Sequence, residues 1–393
     1  MNPRLTLVRK IIIITIFFQL CTFPMGCWDN RNIEDLAIVV GMGLDRGEES
    51  DYRVTFQVAR PDLMGEQEEG NGGLQDVWVT TQEADSIFDA VRKVRAYAPW
   101  ELFFGHTQII VIGEDLAEEG VGPAMDFVQR ETDLRRTVLL AVARGEAKTI
   151  LGHTEAEPDA IDLMKLINIA EFHSVNYTEI LGNFIADIDA LDRAAVAPGF
   201  SRARETPDDE EFAMRKLEDT AVFKGDKLVG WLDEMETRGL IWIRGRIING
   251  VIVFRDPVED RYLVNVEVTR ARTDIDLEII EGTPVYTIKV TGEGRLASHT
   301  SPHRLQEPKN FAALEKRAAG TVEDKMRRAV ERAQEFEADY LHFGTILHRN
   351  YPEHWKQVKD DWSGVFRDVE VNYEVKFKIR RAGLITRSIN FSE

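Results

Sequence analysis

The chain has 393 residues, 44% of them hydrophobic and 30% charged, which are the proportions of a folded protein too long for one ordinary core. A net charge of −19 repels phosphate backbones and anionic lipid surfaces, arguing against nucleic-acid binding and against a purely electrostatic hold on a membrane. Both cysteines, Cys21 and Cys27, lie at the front, so the body behind them has no disulfide and depends on packing.

The first element is a basic start (Arg4, Arg9, Lys10) followed by the apolar run Ile11–Phe18, the pattern of a secretory signal. The run is shorter than the roughly 20 apolar residues a bilayer span requires. Phe23-Pro24-Met25-Gly26-Cys27 then resembles the processing site of bacterial lipoproteins. That resemblance implies cleavage after Gly26 and acylation of Cys27 as the new N-terminus. The family pattern prefers leucine where Pro24 stands, and Cys21 has no small residue before it. Two acyl chains suffice for stable anchoring, at about 0.8 kcal/mol per buried CH₂.

The continuously apolar Leu36–Asp45 predicts a strand buried on both faces. Arg46–Asp51 predicts a turn, and Tyr52, Val54, Phe56 and Val58 alternate with polar residues as a half-buried return strand. Gly41 and Gly43 lack the third glycine and the following helix of a dinucleotide fingerprint. Residues 61–75 predict a loop, and Val77–Thr81 a strand. Ala84, Ile87, Phe88, Val91, Val94 and Ala98 recur at helical spacing. A strand at His106–Ile112, a helix near Pro123–Glu131 and a strand at Val138–Ala143 complete a mixed α/β region. Two apolar helical stripes follow, from Ala160 to Ala170 and from Tyr177 to Ile188.

The charged stretch 198–218 is the best candidate boundary, with the linker at 204–218. A hairpin over 221–231 then opens the second half, followed by strands at Val251–Phe254, Tyr262–Arg272, Ile275–Ile280 and Val285–Glu293. A long helix is predicted from a cap at Thr321, with Asp324 three residues on, to the stop at Pro352. Its buried face would be Val322, Met326, Ala329, Val330, Ala333, Phe336, Tyr340 and Phe343. Trp355, Val358 and Trp362 predict a further amphipathic turn, and Val369–Ile379 a last strand turning at Gly383. The expected class is α+β: mixed sheets with packed helices in several domains, ending in one long helix on an antiparallel-rich sheet. The boundaries are 1–26 signal, 27–203 N-terminal region (divided near 150), 204–218 linker and 219–390 C-terminal domain.

Three blocks carry a further resemblance. GCWDNRNIEDLAIVVGMGLD (26–45) resembles the start of the Ger(x)C family, the lipoprotein C subunits of nutrient receptors in bacterial spores. AVFKGDKLVGWLDEMETRGLIWIRG (221–245) and AQEFEADYLHFGTILHRNYPEHW (333–355) resemble that family's later segments, the second with its His-Arg/Lys-x-x-Pro-x-x-Trp. The resemblance implies a three-domain lipoprotein on the outer face of the spore inner membrane, assembled with multi-spanning A and B subunits.

No catalytic, cofactor or metal site is expected. His299 and His303 have Pro302 between them and no local cysteine, and His342, His348 and His354 are spaced six apart. No Gly-x-Ser-x-Gly, Gly-Lys-Ser/Thr or His-Glu-x-x-His occurs. Among 68 acidic residues, Glu210-Glu211 and Asp360-Asp361 are expected to be solvated charges. Trp231, Trp242, Trp355 and Trp362 are expected as core anchors. The expected function is a non-catalytic receptor subunit. The alternative, a solute-binding lipoprotein of a transporter, would need two similar lobes about a hinge.

Overall fold

The structure is a computed structural model that describes residues 12, 13, 15, 35–59, 77–96, 98, 100–152, 160–204, 213–303, 305 and 307–380. Gly26, Cys27, the 61–75 loop, Glu210-Glu211 and the turn at Gly383 lie outside them. No described helix is long and apolar enough to cross a membrane.

In the first half the order is β1 (Leu36–Arg46), β2 (Tyr52–Ala59), β3 (Val77–Ala84), α1 (Ile87–Val94), β4 (Glu101–Phe103), β5 (Ile109–Ile112), α2 (Glu114–Glu119) and α3 (Gly122–Arg130). β6 (Leu139–Ala143), α4 (Ala147–Leu151), α5 (Ala160–Phe172), β7 (Glu179–Ile180), α6 (Leu181–Ile188) and β8 (Val196–Arg204) follow. The second half runs β9 (Ala213–Lys224), β10 (Lys227–Leu232), α7 (Glu234–Ile243), β11 (Val251–Arg255), β12 (Leu263–Ile280) and β13 (Thr283–His299). It closes with α8 (Pro308–Glu335), α9 (Phe343–Asn350), α10 (Pro352–Val358), α11 (Trp362–Arg367) and β14 (Glu370–Arg380).

Two unlike sheets result. The ten-stranded sheet runs β10-β9-β8-β6-β5-β1-β2-β3, with β4 on β1 and β7 on β6. Its faces are covered by α1, α2, α3 and α6 on one side and by α4 and α5 on the other, around two separate apolar cores. The second sheet, β11-β12-β13-β14, is antiparallel except that β14 lies parallel to β13.

Several expectations are corrected here. β2 is buried on both faces, because helices cover both sides of the sheet. Its polar residues are satisfied inside: Arg53 reaches Glu83 at 2.9 Å and Glu146 at 2.8 Å and also pairs with Glu48, while Gln57 Nε2 donates to the carbonyl of Leu151 at 2.6 Å. The expected linker over 204–218 has strand residues at both ends, in β8 and β9. The hairpin β9–β10 belongs to the first sheet, where β9 pairs with β8 over Val196–Arg204. β8 and β9 are interior strands, so the charged residues at their facing ends are accommodated within paired backbone.

Helix α8 begins at Pro308, whose missing N–H is no loss in a first turn, and not at Thr321. The Thr321 hydroxyl donates back to the carbonyl of Arg317 at 3.0 Å, a mid-helix bond that imitates nothing at the terminus. The helix ends at Glu335, well before Pro352, and His342 with φ 66° separates it from α9. The expected face holds for Val322, Met326, Ala329, Val330 and Ala333, which are buried on α8, whereas Phe336, Tyr340 and Phe343 join the same core from beyond the helix's end. Each fully buried large side chain contributes roughly 1.5–3 kcal/mol, so this stripe organises the second core.

That stripe contains one misfit. Lys325, only 4% exposed, sits on the buried side of α8. Burial first, and then the charge of Arg238, pull its amine down to about 8. An unfolded lysine titrates near 10.4, so between pH 8 and 10.4 the unfolded chain binds more protons and stability rises with pH. Lys325→Met is expected to raise stability at pH 7 by roughly 2–3 kcal/mol and to abolish that rise. Urea unfolding at pH 7 and pH 9.5 checks both; an equal pH slope in the variant would refute it.

Candidate functional site

The two sheets meet where the chain leaves α8. Phe336 caps the helix, Glu337 adopts φ 50°, and the following turn carries Asp339 and His342 into α9. Opposite lies the connector from α6 to β8, residues 189–195. The backbone N–H of Ala194 donates to the carbonyl of Asp339 at 3.0 Å. The Asp339 carboxylate faces the other way. Its Oδ1 accepts from Phe343 N at 3.0 Å, and its Oδ2 accepts from Gly344 N at 2.6 Å and from Trp362 Nε1 at 3.1 Å. One residue thus caps α9, holds α11 and receives the first sheet's connector. Burial outweighs these three donors and the distant Arg244, and pushes the carboxyl up to about 7.

Around this carboxylate lies a charged seam. Arg193 Nε donates to Asp187 Oδ1, and its Nη1 donates to Asp192 at 2.9 Å. His342 Nε2 stands 3.6 Å from Asp187, and His348 Nδ1 stands 3.6 Å from Asp192, both longer than a hydrogen bond. Burial alone would raise Asp187, but the nearby His342 imidazole and its bond to Arg193 hold it below the usual range. Burial pulls His342 down more strongly than Asp187 lifts it.

An aromatic relay continues from the seam. The His348 ring stacks on Trp355 at 5.3 Å, Trp355 meets Trp362 edge-on at 5.5 Å, and Phe343 stacks on Tyr286 of β13 at 4.2 Å. The Tyr286 hydroxyl donates to the carbonyl of Phe343 at 2.9 Å. His348 and Trp355, two members of the group the sequence offered by resemblance, are therefore joined through Trp362 to Asp339. Beside the joint a cleft of about 750 Å³ opens, with Arg193, Lys224, Glu337, Asp360, Asp361 and Arg367 in its walls. Glu337 bridges it, bound by Lys224 at 2.9 Å and Arg367 at 3.2 Å.

Arg193, Lys224, Glu337 and Arg367 pair charge with charge along the cleft walls. Among the described residues no three His, Cys, Asp or Glu side chains are gathered to hold a metal. His299 Nδ1 contacts the carbonyl of Ser301 at 2.9 Å, and His303 stands 3.7 Å from Glu259. Trp242, Trp355 and Trp362 are buried core residues, while Trp231 is half-buried with its Nε1 on Glu114 at 3.0 Å. The site the sequence singled out, Gly26 and Cys27, lies outside the described residues. Asp339, Asp187 and Arg193 were not singled out, and no local spacing marks them among the 68 acids and 49 basic residues.

The family model described as spore germination protein N-terminal domain matches residues 29–202, and that described as spore germination B3/GerAC like, C-terminal, matches residues 218–383. Spore germination protein KC of Bacillus subtilis (strain 168) is 28% identical over 396 aligned residues, covering 96% of this chain and 97% of that protein. Spore germination protein B3 of the same organism is 26% identical, covering 94% and 97%. The crystal structure of the GerBC protein shares the fold, with a TM-score of 0.57 at 20% identity over 88% of this chain and 99% of that one. With both halves matched in order and relatives aligned end to end, the chain belongs to the GerAC-like family of spore germination proteins.

Proposed function

We propose that this protein is the membrane-anchored, non-catalytic subunit of a spore nutrient germinant receptor. In this reading Cys27 carries the lipid, the body stands on the outer face of the spore inner membrane, and the partners are A-type and B-type multi-spanning subunits. The observation that carries the reading is end-to-end similarity to spore germination proteins, in both of the family's regions. The joint supports a role in assembly and signalling: its carboxylates are committed to arginines, backbone donors and Trp362, which suits relaying position between two sheets better than bond chemistry. The unlike sheets do not form the paired similar lobes that a solute-binding lipoprotein requires.

Cys27→Ala tests the anchor. The variant is expected to leave the membrane fraction by at least about tenfold, because without acyl chains the acidic body keeps only its contacts with the partner subunits. Nutrient-triggered germination should fall with it, and the two membrane subunits should no longer co-purify in mild detergent. Unchanged fractionation together with unchanged germination would sink the proposal.

A further inference from the structure

Phe88 is the one member of its helical stripe left outside. Ala84, Ile87, Val91, Val94 and Ala98 are buried, whereas Phe88 is 59% exposed. It forms one lip of a trough of about 690 Å³ between α1 and α3, whose floor and far wall are Tyr52, Ile87, Pro123 and Phe127. The trough continues into a second hollow of about 600 Å³ under the β1–β2 turn, and the two share Asp51, Tyr52, Asp85 and Pro123. The second hollow is acidic. Arg46 on its rim is already paired with Glu119, and Asp226 accepts the Gly122 N–H at 3.1 Å. Glu49, Asp51 and Asp85 form no ion pair among the described residues.

We propose that this composite groove docks a segment of a partner protein that seats an apolar side chain against Phe88 and Phe127 and places Lys or Arg, a few residues away, over Asp51, Asp85 and Glu49. An apolar floor supplies burial energy, and unpaired carboxylates at one end fix direction and select a cation. The same carboxylates repel an anionic bilayer, which separates this surface from a lipid-binding one. The inference deepens the receptor-subunit reading by stating the chemistry of one partner contact, and it rests on that reading only for the cells in which it is tested.

The test places p-benzoylphenylalanine at position 88 of the full chain, irradiates intact spores and sequences the adduct. The expected result is an adduct with another protein whose crosslinked segment has an apolar residue close to Lys or Arg. Its yield should fall by about fivefold or more when Asp51→Lys and Asp85→Lys are introduced together, since both side chains are exposed and the fold should keep its melting temperature. These variants retain Cys27, so unchanged membrane fractionation with a lost adduct assigns the effect to the groove and not to the anchor. A lipid adduct, an adduct with a second copy of this chain, a crosslinked segment without a cation, no adduct, or a yield indifferent to charge reversal would each overturn the proposal.

Discussion

Replacing Asp339 with alanine is expected to destabilise the protein by about 4 kcal/mol, because it strands three buried donors at once. Phe343 N, Gly344 N and Trp362 Nε1 have no other acceptor described, and each such orphan costs about 1–3 kcal/mol. The gain from no longer burying a carboxylate offsets part of the sum. Asp339→Asn is the sharper variant. Its amide must turn an NH₂ toward at least one donor, so it should lose about 2 kcal/mol while keeping the side chain's volume. The pH dependence has a definite sign. The native carboxyl, raised to about 7, keeps its proton in a range where an unfolded aspartate, near 3.9, has lost it. Asp339 therefore contributes stability that is fully present below about pH 4 and is lost as pH rises through about 7. Chemical unfolding of the protein and of Asp339→Asn at pH 5 and pH 8 tests this. The stability difference between them should narrow toward pH 8, and a widening would contradict the assignment.

The same residue explains what the sequence could and could not convey. Asp339 is one of 68 acids, and nothing in its spacing distinguishes it from the solvated ones. It becomes special because Phe343 N, Gly344 N and, from 23 residues further along the chain, Trp362 Nε1 converge on it inside a buried core. Arg53 is a similar case. Alternation placed it on a solvent face, but helices cover both faces of the first sheet, and three carboxylates from separate segments, Glu48, Glu83 on β3 and Glu146, neutralise it there. Local pattern reads one face of one element. It cannot read what a distant helix will cover.

Where burial follows from a local period, the sequence was legible. β1, the turn at Arg46–Asp51, α3, the β9–β10 hairpin and the buried stripe of α8 all lie close to where apolar spacing puts them. The errors fall at connections. The start of α8 was set at Thr321 because a hydroxyl before an acid imitates a cap, although the preceding segment from Pro308 is equally compatible with helix. The C-terminal sheet was expected to be antiparallel-rich, and it is, but β14 returning parallel beside β13 depends on α8 crossing the sheet between them, a tertiary fact. In the joint, the resemblance delivered His348, Pro352 and Trp355 as a group. Physics adds the reason His348 and Trp355 belong together, a ring stack that ends on a buried carboxylate, while Pro352 starts the helix that carries Trp355.

A matched pair of substitutions tests the helix contact that supports this joint. Gly239 in α7 lies where that helix presses on α8: a Cβ there would stand 2.1 Å from the carbonyl oxygen of Lys325 and 2.8 Å from the Cβ of Ala329. The obstruction is backbone, which cannot swing aside. Gly239→Ala is expected to destabilise by about 2–3 kcal/mol even though alanine favours a helix by about 1 kcal/mol. Gly239→Leu would have to lift Leu240, Trp242 and Ile243 off Met326, Ala329 and Ala333, costing upwards of about 4 kcal/mol and unfolding the second core. Gly320 on α8 itself provides the control. It is exposed, nothing lies within 4 Å of its Cβ position, and Gly320→Ala should stabilise by up to about 1 kcal/mol. Opposite signs for one chemical change, read as shifts in the urea midpoint, would locate the α7–α8 crossing at Gly239. A stabilising Gly239→Ala would show that the helices stand farther apart than 2.1 Å of clearance implies, and the packing that carries Asp339 to its partners would need another support.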